Sequence, residues 1–422
     1  MNSFKKIITL FLFVFLSFQV SATYLLVPMD HTQKNHLKAY GVAYWVLENN
    51  LDISWLLNYR GGSFMMKHLK AIEEELIIRG VSFEVIADVK STAILQQIAD
   101  PEINMDVVKL EKAPKIAVYS PKNKQPWDDA VTLVLTYAEI PYDVVYDDEI
   151  IGEKLPLYDW LHLHHEDFTG QYGKFYARYR SAPWYREQVR YNEETAHKLG
   201  YSKVSELKLA VAKKIKEFTL GGGFLFAMCS GTDALDIALS AENIDICESM
   251  FDGDGTTPNY NAKLDYSQSY AFKNFTLKTN PLEYEFSDID ATPTHAKTPE
   301  KLDNFTLFDF SAKWDPVPTM LCQNHETLIH GFFGQTTSYN KQFLKSSTLV
   351  MGENKSLNAA KYIHGEMGKG TWTFYGGHDP EDYRHMVGDP PTDLNLHPNS
   401  AGYRLILNNI LFPAAKKKKQ KT

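Results

Sequence analysis

Five apolar residues, Phe224-Leu225-Phe226-Ala227-Met228, stand between Gly221-Gly222-Gly223 and Cys229-Ser230-Gly231, and a helix-compatible run over 232–239 follows at once. A short apolar run that yields to a helix within three small residues fits few geometries. It fits a strand that turns sharply into a helix at the carboxyl edge of an α/β sheet. Such an elbow holds its first residue, here Cys229, close to helix N-terminal N–H groups, which favour a reactive thiolate. A buried, inert core cysteine at a strand end gives the same pattern, so both readings of Cys229 stand.

The elbow needs a sheet around it. Residues 115–119, 142–146, 157–164 and 224–228 read as four strands, with helices over 127–138, opened by Pro126, and over 203–218. A turn-rich, aromatic-rich stretch over about 244–343, with short runs at 270–277 and 305–310, reads as an inserted β-rich or irregular subdomain. The α/β pattern resumes with a strand at 347–351, a helix around 357–364, a strand at 371–375 and a closing helix over 398–411. The main domain therefore spans 113–412. Ahead of it, 23–112 reads as a smaller α/β unit with strands at 24–29, 53–59 and 83–86 and helices over 36–49 and 64–79. Crossovers of that length favour parallel pairing. Asp30, His31 and Arg60 fall at strand ends, where such sheets bind ligands, although ordinary loop polarity explains them equally.

Lys5 and Lys6 precede an apolar run over 7–18, and Val20-Ser21-Ala22 supplies the small residues of a cleavage site, so 1–22 reads as a signal peptide cut before Thr23. The expected location is periplasmic or secreted. The run is shorter than the roughly 20 residues a membrane helix needs, so no membrane span is expected in the mature chain. Cleavage removes two lysines and no acid, taking the formal charge from −8 to −10, which excludes nucleic acid as the main partner. The lysine-rich segment 413–422 is a solvated basic tail. Three cysteines in an exported chain leave at least one thiol free; Cys247 with Cys322 is the pair expected if one forms. Asp252-Gly253-Asp254-Gly255 lacks the closing glutamate of an EF-hand and reads as a solvated turn.

Two clusters carry further chemistry. In Gly376-Gly377-His378-Asp379-Pro380-Glu381, His378 follows a strand on a Gly-flanked loop, so Cys229, His378 and either Asp379 or Glu381 form a candidate triad, with N–H groups near Ser230 and Gly231 as oxyanion donors. In His162-Leu163-His164-His165-Glu166, the alternating His162 and His164 point to one face of a strand, as a zinc site would require. The HxHxDH order of the familiar metal hydrolases is absent and no further ligand run follows, so neither a metal nor a cofactor is expected. His164, His165 and Glu166 are kept as candidate ligand contacts.

The passage from Gly222-Gly223 to Cys229-Ser230-Gly231, with a later strand delivering His378, resembles the class I glutamine amidotransferase-like superfamily over about 113–412, the insertion excluded. The resemblance implies a flavodoxin-like parallel sheet with helices on both faces, Cys229 as nucleophile and His378 as base. The acid departs from the family pattern: His-Pro-Glu puts it two residues after the histidine, whereas Asp379 comes one after and Glu381 three after. Residues 368–379 look like the trehalose-utilisation (ThuA-like) branch, which does not use an elbow cysteine. The stretch 58–64 resembles exported Bacteroidetes proteins labelled asparagine synthetase B. Synthetases of that name carry a catalytic cysteine after the initiator methionine and consume ATP. Asn2 stands here, and export separates the chain from ATP, so ligase activity is not expected. The expected function is an exported cysteine-dependent hydrolase or amidase acting on an unknown small-molecule carbonyl substrate. The alternative is a non-catalytic module of the same fold, whose aromatic insertion binds a saccharide or an envelope protein.

Overall fold

The computed structural model describes residues 22–123, 125–323 and 326–415. The expected signal peptide, its last residue apart, and the lysines from 416 onward lie outside them. No helix among the described residues is long and apolar enough to cross a membrane. The protein is a mixed α/β structure built on two sheets.

The first sheet takes β1 (Ala22–Val27), β2 (Ile53–Leu57), β3 (Ser63–Lys67), β4 (Glu84–Ala87) and β5 (Asp106–Leu110) in the order β4-β1-β3-β2-β5. Helices α1 (His36–Glu48), α2 (Lys70–Ile78) and α3 (Asp88–Ala99) connect them. Every strand pair is antiparallel, which overturns the expected parallel pairing. The cause is the turn after β2, where Asn58, Arg60, Gly61 and Gly62 all take positive φ, between 46° and 94°. It sends the chain straight back, so β3 slots between β1 and β2 in a split β-α-β arrangement. The helix expected over 64–79 is corrected for the same reason: its first residues are β3. Phe64 and Met66 enter one core and Met65 another, so packing on both faces overrides methionine's helix propensity.

The second sheet runs β11 (Leu328–His330), β10 (Asn304–Leu307), β13 (Leu349–Asn354), β14 (Ala359–Met367), β15 (Gly370–Tyr375), β9 (Phe224–Met228), β8 (Trp160–Leu163), β6 (Ile116–Tyr119), β7 (Asp143–Val145), with β12 (Tyr339–Asn340) paired to β14. From β15 to β7 the pairs are parallel, and from β15 to β11 they are antiparallel. Alternate residues of the parallel strands enter two cores: Val118, Trp160, Phe226 and Met228 one, Tyr119, Leu161, Leu163 and Leu225 the other. That two-sided burial suits a parallel sheet covered on both faces. Helices α4 (Ala130–Ala138), α5 (Pro183–Lys198), α6 (Val204–Gly221), α7 (Ser230–Ser240) and α8 (Ala401–Leu411) accompany it.

The helix expected around 357–364 is β14 instead. Asn358, at φ 51°, closes a hairpin from β13, and β14 pairs along its length with β15, with Ala360, Tyr362 and Ile363 fully buried. A central strand buried on both faces carries no polar alternation to mark it. The insertion is not a separate body either, because β10 and β11 prolong the main sheet. Residues 270–277 hold isolated bridges rather than a strand. All three cysteines are free and buried. The expected Cys247–Cys322 pair is absent: the Cys247 thiol donates to the Thr169 carbonyl at 3.1 Å, and Cys322 lies against Gly61 and Gly62.

The two sheets share one apolar core, in which Tyr40, Trp55 and Phe64 of the first unit meet Val131, Tyr375, Leu405 and Ile410 of the second. At their closest approach α1 lies on α4 so tightly that a Cβ on Gly41 would sit 1.8 Å from the Ala138 carbonyl oxygen. Arg404 of α8 is fully buried and donates to the Met29 carbonyl (3.2 Å), the Gly61 carbonyl and the Tyr40 hydroxyl (3.0 Å).

Candidate functional site

β9 ends at Met228, and Cys229 follows with φ 49° and ψ −139° before α7 begins at Ser230. A non-glycine residue in that region costs roughly 1–3 kcal/mol and persists only where its surroundings enforce it. The sheet register pairs Tyr375 with Met228, so Cys229 and the Gly376-Gly377-His378 turn leave the sheet side by side. The histidine run leaves the same edge one strand over, at the end of β8.

The thiol is fully buried. Its Sγ accepts an N–H from Gln335 at 3.1 Å, and the N–H groups of Thr336 and Ser230 also point at it. Burial pushes the thiol up to about 11, against the pull of these N–H groups and of the Lys174 charge. The segment 332–337 forms this cap, and two buried lysines tie it down. Lys174 Nζ donates to the Gln335 carbonyl (2.8 Å) and the Thr336 hydroxyl (3.2 Å), while Lys361 Nζ donates to the carbonyls of Phe332 (2.5 Å) and Thr337 (2.9 Å). The Ser230 hydroxyl donates to Gln335 Oε1 (2.7 Å) and the Thr336 hydroxyl to Asp233 (2.7 Å).

The expected triad is only partly assembled. Cys229 and His378 share no hydrogen bond, and the buried Nδ1 of His378 has no partner. Neither acid reaches His378. Asp379 turns back to accept the Glu381 N–H (2.9 Å) and the Thr392 hydroxyl (2.7 Å), and Glu381 pairs with His397 at 3.1 Å. Both carboxylates are thus engaged by partners other than His378. The Gly231 N–H is also engaged, donating to the His164 carbonyl at 2.7 Å, so of the two expected oxyanion donors only Ser230 aims at the sulfur.

What the structure assembles instead is a histidine–carboxylate cluster. The His378 ring lies 4.5 Å from that of His164 and stacks on His385 at 4.6 Å, centroid to centroid. His385 is clasped by Asp128 (2.8 Å) and Asp382 (3.0 Å), which raise it to about 9 despite its burial. Burial, with the neighbouring imidazoles, holds His378 and His165 well below the ordinary histidine range; burial likewise takes His164 down to about 4, against Asp129. Beneath them Asp129 Oδ2 lies 3.2 Å from His162 Nε2 and 3.5 Å from His164 Nδ1. Glu166, which accepts the His164 N–H at 3.2 Å, is raised by burial and by Asp129 to about 8. A cavity of about 20 Å³, room for one water molecule, reaches His165 and Glu166 between Trp127 and Lys208.

Asp128, Asp129, His385, Lys174 and the 332–337 cap were not singled out from the sequence. Only Asp129 carried a local signal, an aspartate directly before an apolar helix: its Oδ1 accepts the N–H groups of Val131 (2.8 Å) and Thr132 (2.9 Å) as the N-cap of α4. His295 stands in a Ser338–His295–Asp303 line, with bonds of 2.7 Å and 3.0 Å, but all three residues are buried within the insertion and brace it.

Asp30, in the loop after β1, and Arg60, in the turn after β2, lie elsewhere and bind each other at 2.8 Å, while Arg60 also holds Glu84 and His31 faces solvent. Burial works against the Asp30 carboxylate, but Thr32 and Arg60 bring it down to about 2. A lowered acid adds stability above its unfolded pKa, near 3.9, and loses it as pH falls through the folded value. Asp30→Asn should therefore cost about 1–2 kcal/mol at neutral pH and much less near pH 2, as urea unfolding at both pH values would show. The Asp252–Asp254 turn is filled by Lys203 Nζ, which also pairs with Asp245.

Compared with known protein families and with curated proteins, the chain matches none. Among solved structures it is similar to a cytoplasmic protein from Salmonella typhimurium: 12% identity, 72% of this chain and 100% of that chain covered, TM-score 0.36. A GH42 β-galactosidase from G. stearothermophilus is 10% identical over 64% of this chain and 28% of that chain, with a TM-score of 0.28. An exo-β-1,4-mannosidase from Opitutaceae bacterium strain TAV5 is 10% identical over 74% of this chain and 35% of that chain, with a TM-score of 0.26.

Proposed function

We propose that the chain is a cysteine-dependent hydrolase or amidase of the class I glutamine amidotransferase-like fold, acting outside the cytoplasm on a small carbonyl substrate, with Cys229 as its nucleophile. The observation that carries this reading is the backbone of Cys229, φ 49° and ψ −139° between a parallel strand and a helix. An inert core cysteine gains nothing from such strain, whereas an elbow needs it to present a side chain at the strand's end. The strand order supports the fold: taken in chain order, the parallel strands β7-β6-β8-β9-β15 lie 2-1-3-4-5, the order of flavodoxin-like sheets. Export rests on the pattern over 1–22.

In this reading the 332–337 cap withdraws and the Cys229 sulfur attacks the carbonyl carbon. Its proton passes to His378, kept neutral by burial, and goes to the leaving group as the carbon–leaving-group bond breaks; water then cleaves the thioester and restores the thiol, while the Ser230 N–H steadies the oxyanion. The second reading, a saccharide- or envelope-protein-binding module, is favoured by one observation: the thiol is capped and raised to about 11.

Alkylation of Cys229 by iodoacetamide, followed by peptide mapping over pH 5–9, separates the two. Ser230→Ala removes one tether of the cap, and a net hydrogen bond of ~1 kcal/mol corresponds to about fivefold faster labelling. Adding His378→Ala to that variant should slow labelling below pH 8 and raise the apparent thiol pKa. A thiol that stays slow in the uncapped variant and ignores His378 would favour the binding module.

A further inference from the structure

We propose that Asp129, His162 and His164 form a binding site for one divalent transition-metal ion of the zinc class. The site goes beyond the thiol reading and does not depend on it.

The donor atoms Asp129 Oδ2, His162 Nε2 and His164 Nδ1 lie 3.2, 3.5 and 3.4 Å from one another. Metal bonds of 2.0–2.1 Å at tetrahedral angles set ligand atoms about 3.4 Å apart, the spacing these three atoms already have, with the ion just out of their plane. Each donor is already aimed. Asp129 spends its Oδ1 on the first N–H groups of α4, leaving Oδ2 for a single bond. His162 Nδ1 lies 3.1 Å from the Phe226 carbonyl oxygen, which can only accept, so Nδ1 donates there and Nε2 is the ring atom left to bind an ion. A ligand histidine whose other nitrogen is fixed in this way is the usual outer-shell arrangement of a metal centre.

The three atoms converge on one point: Asp129 Oδ2 lies 3.2 Å from His162 Nε2 and 3.5 Å from His164 Nδ1, and the two ring nitrogens lie 3.4 Å apart. Both imidazole side chains are wholly buried, so water does not relieve the contact. A cation at the centre satisfies all three groups. It also assigns the proton of His164 to Nε2, a buried atom with no partner, on a ring 4.5 Å from that of His378, whose Nδ1 is equally unpartnered. His164 would then be a positioning residue for His378 as well as a ligand. The sequence carries two of the three ligands as a His-x-His strand pair; the third comes from a helix start more than 30 residues earlier.

The test uses the mature protein, stripped with a chelator and titrated with Co²⁺ while visible absorption is recorded, followed by competition with Zn²⁺. One equivalent of Co²⁺ should bind with the intense d–d bands of a four- or five-coordinate ion, and Zn²⁺ should abolish them. His162→Gln and Asp129→Asn should each weaken Zn²⁺ binding by at least about a hundredfold, while His330→Ala, an exposed histidine on β11, should not change it. Far-UV circular dichroism checks the fold of the variants, and the wild-type titration stands without them. No stoichiometric uptake by the stripped wild type, or unaltered binding in a folded His162→Gln, would overturn the site. Nitrogen NMR showing a doubly protonated His162 in protein saturated with Zn²⁺ would do the same, since a proton would then be the missing cation.

Discussion

Lys174→Ala should cost about 3–5 kcal/mol of folding stability at pH 8 and much less at pH 5. Its ammonium lies 3.0 Å from Asp290 and 3.5 Å from Asp233, with all three side chains at most 1% exposed. Burial works against the ammonium, yet the two carboxylates hold its pKa above the ordinary lysine range. Burial also raises Asp233, to about 6, against the pull of Lys174. Removing the cation leaves two carboxylates in a dry interior, and breaking a buried pair from one side costs in that range. The pH dependence follows from the sign of the shift. An acid whose folded pKa lies above its unfolded value loses stability as pH rises between the two, so the variant's deficit grows with pH and shrinks once the carboxyls are protonated. Urea unfolding at the two pH values measures this. Lys174→Met restores most of the volume without the charge; recovery of stability in that variant would mean that packing, not the ion pair, carries the effect. Because Lys174 also holds the Gln335 carbonyl and the Thr336 hydroxyl, alkylation of Cys229 should accelerate in both variants.

Gly41→Ala is expected to destabilise the protein by about 1–3 kcal/mol, although alanine is the better helix former by roughly 1 kcal/mol. Propensity alone predicts a gain. The new methyl carbon, however, would lie 1.8 Å from the Ala138 oxygen and 2.8 Å from its carbonyl carbon, which are backbone atoms that no rotamer change can move. α1 and α4 must separate, and the shared core around Tyr40 and Val131 must loosen with them. A thermal melt decides the sign, and a variant as stable as the wild type would mean that the two helices slide apart without cost. Gly80, with nothing within 4 Å of a Cβ but φ 68°, would be strained by its backbone alone.

Local signals were legible where one segment fixed its own geometry. The elbow strand over 224–228 and the helix after it read directly because glycines on one side and small residues on the other leave little choice. Segments whose state depends on distant partners did not read correctly. Residues 63–67 become a strand because a turn of positive-φ residues inserts them between two others, and 359–367 because β13 and β15 pair with both of their edges. The site divides along the same line. His162 and His164 declare themselves by alternation, whereas Asp129 joins them only through the start of a helix, and the cap over Cys229 arrives from a segment 106 residues downstream. The triad acids failed for a local reason that spacing hinted at, since Asp379 is consumed by its own turn.

Arg404 links the two ends of the chain's history. It donates to Met29 across a separation of 375 residues and to Gly61 across 343, and Tyr40 reaches Asn408 across 368. Tyr40 of α1 and the carbonyls of Met29 and Gly61, in the loops after β1 and β2, therefore have these buried partners only once α8 has docked. Closing loops of that size demands a large entropy loss before any contact rewards it, which slows assembly and leaves apolar strands uncovered in the meantime. Until those long-range contacts close, apolar strand surface of the first sheet is exposed to misassembly.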